Sequence, residues 1–468
     1  MLGRMTFVLS FMLATKAFAQ REITLSEFIR KVSAQNSAFK AQDKLQEASE
    51  QKRADAERVS STEVFSDALW ASDKSPVLTP NFNGTDRQSR RLTLGLQKQW
   101  SFGLRSRVYG FSDTSLMRHA LAMPSPDMSL EKRGGAVELE WALLRNGLGR
   151  EQRFQREALE ASSQGEKLLA AFDEQRLLVE AQLLFIRFAQ LQEALQIQTE
   201  LVRQGESLVN WASRQVRDRL LESVHQSEAE VALEARKLGY EQRELQLESL
   251  RQQLFAVLEE RPNGLRVEGL NRLETQIQAP RTLGQRGDVG AREAFLQAQK
   301  ADLSLQREAY RPELKLTAQY QTFQKRADDD DTQRCADPTA CATRVLGLNL
   351  AVPLDQGTQR RGREALSAQL AARELELRRA QVEAERDRQL IQEQMQRLGD
   401  QQRVLRTLIS KQEERLEAER RRQKQGRATT FDLIQAEQQL FESREQLLML
   451  RGQRLELLTQ LKLYEVRS

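Results

Sequence analysis

Histidine, cysteine, proline and aromatic residues are all scarce in this chain of 468 residues, which has 2 His, 2 Cys, 9 Pro and only 6% Phe, Trp and Tyr. His119 and His225 alone build no histidine cluster for zinc or copper. Neither a nucleophile elbow nor a phosphate-binding glycine loop occurs, so no catalytic machinery and no cofactor site is expected. The methionines are scattered, which weighs against metal-selective export through soft ligands. With so few aromatics and 30% charged residues, the chain cannot fill one large core. No segment approaches the ~18 uninterrupted apolar residues of a membrane-spanning helix. Charge of one sign is lacking too: 72 basic and 67 acidic residues are intermixed, leaving a net charge of +5. No basic patch with interleaved aromatics exists, so nucleic acid is not an expected partner.

Proline is absent between Pro126 and Pro262 and again after Pro353. Those stretches are rich in Arg, Gln, Glu, Leu and Ala, and they follow two similar blocks placed about 210 residues apart. The first block runs from Ala136 to Arg150 and the second from Val345 to Arg360. In each, one parity is apolar (Val137, Leu139, Trp141, Leu143; Leu346, Leu348, Leu350, Val352), and the other carries Glu138, Glu140 and Asn349 among small residues. That is a strand with one greasy face. After each block the period becomes helical, and Leu370, Leu377, Ala384, Ile391 and Leu398 fall seven apart, the spacing of a coiled-coil seam. The expected fold is mainly α, with long helical hairpins in two pseudo-repeats and a β portion.

The N-terminal segment 1–19 has Arg4, an apolar run and Ala17-Phe18-Ala19, the pattern of a cleaved export signal. Residues 20–264 form the first pseudo-repeat and 265–468 the second. A helix is expected from Ile23 to Val59, opened by the capping pattern Thr24-Leu-Ser-Glu27. A strand candidate spans Thr62 to Trp70, and Arg91 to Trp100 with Leu104 to Phe111 reads as a hairpin around Ser101-Phe-Gly103. A loop containing Gly134-Gly135 precedes the strand at 136. Helical runs are expected over 151–195 and 198–259, then Asp288 to Ala309, and over 360–398 and 401–463 with Gly399-Asp400 at the turn.

Amphipathic strands in an exported chain without membrane helices suggest an outer-membrane barrel, since only a closed barrel leaves no unsatisfied edge in lipid. Parity assigns Leu92, Leu94, Leu139, Trp141, Leu314, Leu316, Leu348 and Leu350 to lipid, and Glu138, Glu140, Lys315, Gln319 and Asn349 to the lumen. The alternative for the same pattern is a soluble sheet with one wet face. Trp70, Trp100 and Trp141 sit in or beside strand candidates, as an aromatic girdle does. One chain supplies too few strands to close a barrel, so several copies are needed.

Several segments carry a resemblance: Ile23-Thr-Leu-Ser-Glu-Phe with Gln35-Asn-Ser37; Glu138 to Gly147; Arg286-Gly-Asp288 leading to Tyr310-Arg-Pro-Glu-Leu314; Leu348 to Gly357; and Gln425 to Leu440. In order, spacing and duplication the chain resembles the TolC family of outer membrane efflux proteins over essentially the whole mature sequence. The resemblance implies a homotrimer in which each protomer gives four strands to a shared barrel and long helices to a periplasmic tunnel. It implies passive export across the outer membrane, coupled to an inner-membrane transporter through a periplasmic adaptor (membrane fusion) protein. The first half departs from that pattern. Its strands at 62 and 136 are separated by roughly 40 extra residues holding the 91–111 hairpin, which either enlarges the barrel or projects from it. The competing class is a periplasmic coiled-coil adaptor or scaffold, which would carry one helical hairpin rather than two.

The resemblance places the periplasmic tip at turns near Gln190 to Ala194 and Arg397 to Gln401, with Gly399 at the turn and Asp400 available for a charged ring. Cys335 and Cys341 form an isolated close pair in a long polar loop, which in an oxidising compartment is expected to be a disulfide. The neighbouring Asp328 to Asp331 run is expected to be a solvated outer loop.

Overall fold

The computed structural model describes residues 22–76, 85–118, 128–261, 265–280, 282–327, 341–354, 356–425 and 429–465. The export signal, the Asp328 to Asp331 run, Cys335 and His119 lie outside the described residues. The strands are β1 (Glu22–Ile23), β2 (Thr62–Asp73), β3 (Asp86–Gln99), β4 (Leu104–Arg118), β5 (Met128–Ala142), β6 (Arg266–Val267), β7 (Glu313–Ala327) and β8 (Ala342–Ala351). The helices are α1 (Leu25–Gln35), α2 (Ser37–Arg58), α3 (Arg150–Arg217), α4 (Ser223–Leu258), α5 (Leu270–Gln276), α6 (Gly287–Ala309), α7 (Gln356–Lys424) and α8 (Thr430–Leu461). The chain divides into two compact units, one built from 1–44, 171–287 and 383–468 and the other from 45–170 and 288–382.

The second unit contains a single antiparallel meander of six strands in the order β2-β3-β4-β5-β7-β8. The 91–111 hairpin therefore joins the sheet as β3 and β4 rather than projecting from it. β5 begins at Met128, and Gly134 and Gly135, expected in a loop, lie inside this strand. Pairing overrides the glycine signal there, because Phe111 on β4 and Phe323 on β7 flank Gly134 across the ladder.

The first unit is helical, around the small parallel pair β1–β6. Its core gathers Phe28 and Val32 of α1, Phe185, Ile186 and Phe188 of α3, Leu254 and Leu258 of α4, and Leu270 and Leu273 of α5. The Phe28 and Phe185 rings lie 5.1 Å apart. Thr24 caps α1, its hydroxyl accepting from the Glu27 amide at 3.3 Å. The buried Glu268 carboxylate accepts the Leu25 amide at 2.7 Å and so satisfies a second free donor of the same turn.

Two expectations about the helices are corrected. The helix read from Ile23 to Val59 breaks at Asn36, which is extended at ψ 130°. Its side chain donates to the Val257 carbonyl at 2.8 Å and accepts the Ala38 amide at 2.8 Å, an arrangement that ends one helix and caps the next. The turns expected near Gln190 to Ala194 and at Gly399-Asp400 are absent. α3 runs unbroken over 68 residues and α7 over 69. A mid-helix glycine costs only about 1 kcal/mol relative to alanine, which the surrounding helix formers outweigh. The heptad seam does form: Ala384 is buried and Leu370, Leu377, Ile391 and Leu398 are half-buried, with mostly exposed residues between.

Candidate channel wall and helical turns

The ladder register sorts the two parities of every strand onto two faces. Through successive pairings Trp141 is level with Leu104 on one side and with Leu316 and Leu348 on the other, and Leu314 pairs with Leu350. Leu92, Leu94, Leu139, Trp141, Leu314, Leu316, Leu348 and Leu350 thus share one face, together with Val64, Leu96, Val108 and Val137. Much of this face is bare, with Leu348 67% and Leu94 60% exposed. A contiguous apolar area of this kind needs a nonaqueous partner. Among the described residues no helix is long and apolar enough to cross a membrane.

Glu138, Glu140, Lys315, Gln319 and Asn349 share the opposite face, where Glu138 pairs with Gln319 and Lys315 with Asn349. Charges on this face meet partners of opposite sign. Lys315 Nζ lies 2.9 Å from Glu140 and 2.6 Å from Glu313. Arg91 Nη2 lies 2.6 Å from Asp113. The Arg107 guanidinium reaches Asp67 and Glu138 at 3.7 Å each, and stacks 4.3 Å from the Phe65 ring centre. Gln319 donates to the Tyr109 hydroxyl at 3.1 Å, and Tyr109 meets Phe65 edge-on at 5.9 Å. Phe65, Asp67, Arg91, Arg107, Tyr109 and Gln319 line a shallow hollow of about 240 Å³. Such a surface holds water and fixes its own charges, as a polar barrel lumen does.

Aromatics and glycines alternate on this same face. Gly95 pairs with Tyr109, and Gly134 lies between Phe111 and Phe323. A Cβ on Gly95 would fall 2.7 Å from the Tyr109 Cα, and one on Gly134 would fall 2.7 Å from the Phe323 Cα. Glycine there lets the sheet coil tightly while a ring from the next strand covers the gap.

The sheet is tied to the helices at the β3–β4 turn. The Trp100 amide donates to the Leu104 carbonyl at 2.7 Å and the Gly103 amide donates to the Trp100 carbonyl at 3.0 Å. This turn packs on the one that carries β5 into α3 through Gly147–Gly149.

Sequence reasoning missed where the long helices reverse. α3 ends at a turn over 218–222, with Arg219 left-handed at φ +58°. No glycine or proline marks this turn. α7 ends at Lys424 and α8 begins at Thr430. Thr429 caps α8 reciprocally with Asp432: the threonine hydroxyl accepts the Asp432 amide and the carboxylate accepts the Thr429 amide, both at 3.1 Å. The Thr429 hydroxyl bond, then its amide, hold the Asp432 carboxyl below its ordinary value. A Thr-x-x-Asp pattern was visible in the sequence and could have located this start.

Gly399 and Asp400 lie within α7, where Asp400 pairs with Arg403 at 2.8 Å on an exposed surface. Nearer the reversals, the buried Glu437 of α8 accepts from Arg236 of α4 at 3.2 Å and from Arg420 of α7 at 3.1 Å. Arg236 also donates to the Leu201 carbonyl of α3 at 3.2 Å, so one charge cluster joins four helices.

The described chain thus combines a six-stranded meander, with an apolar band on one face and paired charges on the other, with long helices. Residues 279–464 match the family model described as outer membrane efflux protein. Among solved structures the chain is similar to CusC at 13% identity, TM-score 0.69, with 95% of this chain and 92% of that one covered. It is also similar to the Neisseria gonorrhoeae MtrE outer membrane channel at 15% identity, TM-score 0.64, with 94% and 88% covered. For Vibrio cholerae VceC the values are 13%, 0.64, 94% and 95%. No curated protein sequence matches. The C-terminal part of the chain is thus similar to outer membrane efflux proteins, and the fold of nearly the whole chain is similar to that of these channels.

Proposed function

We propose that this protein is the outer membrane exit duct of a tripartite efflux or type I secretion system, acting as a homotrimer. The carrying observation is the six-stranded sheet with a band of bare apolar side chains on one face and a set of internally paired charges on the other. The apolar face meets outer-membrane lipid, and the charged face lines the water-filled passage. The two edge strands, β2 and β8, carry unpaired backbone groups that three copies satisfy by closing a barrel. The helices form the periplasmic part. The turn at 218–222 and the neighbouring ends of α7 at Lys424 and α8 at Thr430 are the surface offered to a periplasmic adaptor, and through it to an inner-membrane transporter. Export is passive, with the driving energy supplied by that partner.

Fractionated membranes test this reading. The protein should sediment with the outer membrane and run as a trimer that dissociates on heating. A monomer found with the inner membrane or in the soluble periplasm would instead support an adaptor or scaffold.

A further inference from the structure

Hairpin β3–β4 stands between β2 and β5 as two additional staves. Each level of the β2–β3 pair is repeated by β4–β5 in the same register. Val64 and Leu96 are followed by Val108 and Val137; Phe65 and Gly95 by Tyr109 and Ala136; Glu63 and Gln97 by Arg107 and Glu138. Trp100, which follows β3, is level with Trp141 in β5 through Leu104. The outward face of the hairpin is as apolar as its neighbours, with Leu92, Leu94, Leu96 and Val108 each more than half exposed.

The apolar band also continues across the hairpin, where Leu96 and Val108 are level. It occupies Val64 to Trp70 on β2, Leu92 to Leu96 on β3, Leu104 to Val108 on β4, Val137 to Trp141 on β5 and Leu346 to Leu350 on β8. By register Leu346 is level with Thr62, so the band is displaced along the strands between β2 and β8, with its largest shift from β3 to β4. A band that is level in a membrane must slide this way across strands tilted by about 35–45°. Both hairpin strands take their places in that slant.

We infer that the hairpin is a built-in widening element: three copies of six strands close an eighteen-stranded barrel, where four strands per copy would close twelve. This rests on the trimeric duct proposed above. Barrel diameter grows with strand number. At ~4.8 Å between strands and a tilt of ~40°, eighteen strands enclose a backbone diameter of about 36 Å and twelve about 24 Å. The cross-section rises roughly twofold, into the range where barrels keep an open aqueous bore. The hairpin thereby sets the size limit of the outer-membrane exit, admitting bulky hydrated cargo. Its Arg91, Arg107, Tyr109 and Phe111 supply much of the lumen wall.

Removal of residues 86–127 joins the loop after β2 directly to β5. By register, Thr62 and Asp73 then take the places opposite Leu139 and Met128 that Ser106 and Met117 hold, with strand direction and parity preserved. Electron cryomicroscopy of purified trimers should give a barrel about 36 Å across for the full chain and about 24 Å for the deletion variant. A full-chain barrel of about 24 Å overturns the inference even if the variant fails to assemble. In intact outer membranes, cysteines at Leu94 and Leu96 should resist a water-soluble thiol reagent while those at Arg91 and Gln97 react, and equal reaction at all four would mean that the hairpin projects. Failure to find any trimer in the outer membrane counts against the duct itself, whereas a narrow trimer counts only against the widening.

Discussion

Gly103 and Gly149 lie back to back in left-handed conformations, φ +85° and +72°, so close that a Cβ on Gly103 would sit 3.0 Å from the Gly149 nitrogen. A Cβ on Gly149 would overlap the Ser101 carbonyl. The turn of the additional hairpin and the turn from strand to helix therefore share one space that only glycine fits. Gly149→Ala should cost about 1–3 kcal/mol in backbone strain alone and lower the temperature at which the trimer band disappears. Gly399→Ala, in an open stretch of α7 with nothing within 4 Å of its added Cβ, should leave that temperature unchanged or raise it.

The Arg236–Glu437 pair is almost wholly buried, and removing Arg236 leaves the Glu437 carboxylate only its more exposed partner Arg420. Arg236→Ala should destabilise by about 3–5 kcal/mol, read as a lowered trimer melting temperature. Replacing both residues with leucine should recover most of that loss. Equal losses for the single and double variants would show that the site depends on the guanidinium bond to the Leu201 carbonyl rather than on the pair.

Cys335 and Cys341 are expected to be bridged in the oxidising periplasm and beyond it. Denatured, unreduced protein should take up no thiol reagent, and two labels per chain after reduction. Two labels before reduction would remove the bridge.

On the apolar face, Leu348→Arg should cost about 2–4 kcal/mol if the residue lies near the membrane midplane, and it should reduce the amount of trimer in the outer membrane. Glu140→Gln, on the opposite face, should assemble normally and alter only ion conductance.

Strand alternation was legible wherever polar and apolar side chains strictly alternate, as from Leu92 to Leu96 and from Leu346 to Leu350, because a period of two has no other reading. The upstream part of β5 was not, since Gly134-Gly135 carries the local signal of a loop and only the facing aromatics on β4 and β7 make it strand. The helix reversals were misplaced for a related reason. Gly399 is a strong local mark but a weak energetic one, whereas the reversal after α3 falls at Asp218-Arg219 with no glycine. That reversal is set by how long the paired helices are, which periodicity does not encode. The buried Arg236 and Glu437 looked like ordinary solvated charges, because their burial depends on four helices far apart in sequence.

The most direct test of the account is cysteine scanning along β8 in isolated outer membranes, one residue at a time from Val345 to Leu350. Cysteines at Val345, Gly347 and Asn349 should react with a water-soluble thiol reagent from the lumen, while those at Leu346, Leu348 and Leu350 stay protected by lipid and become reactive in denaturant. Uniform labelling of both parities, or protection of the first set, would contradict a membrane-spanning barrel.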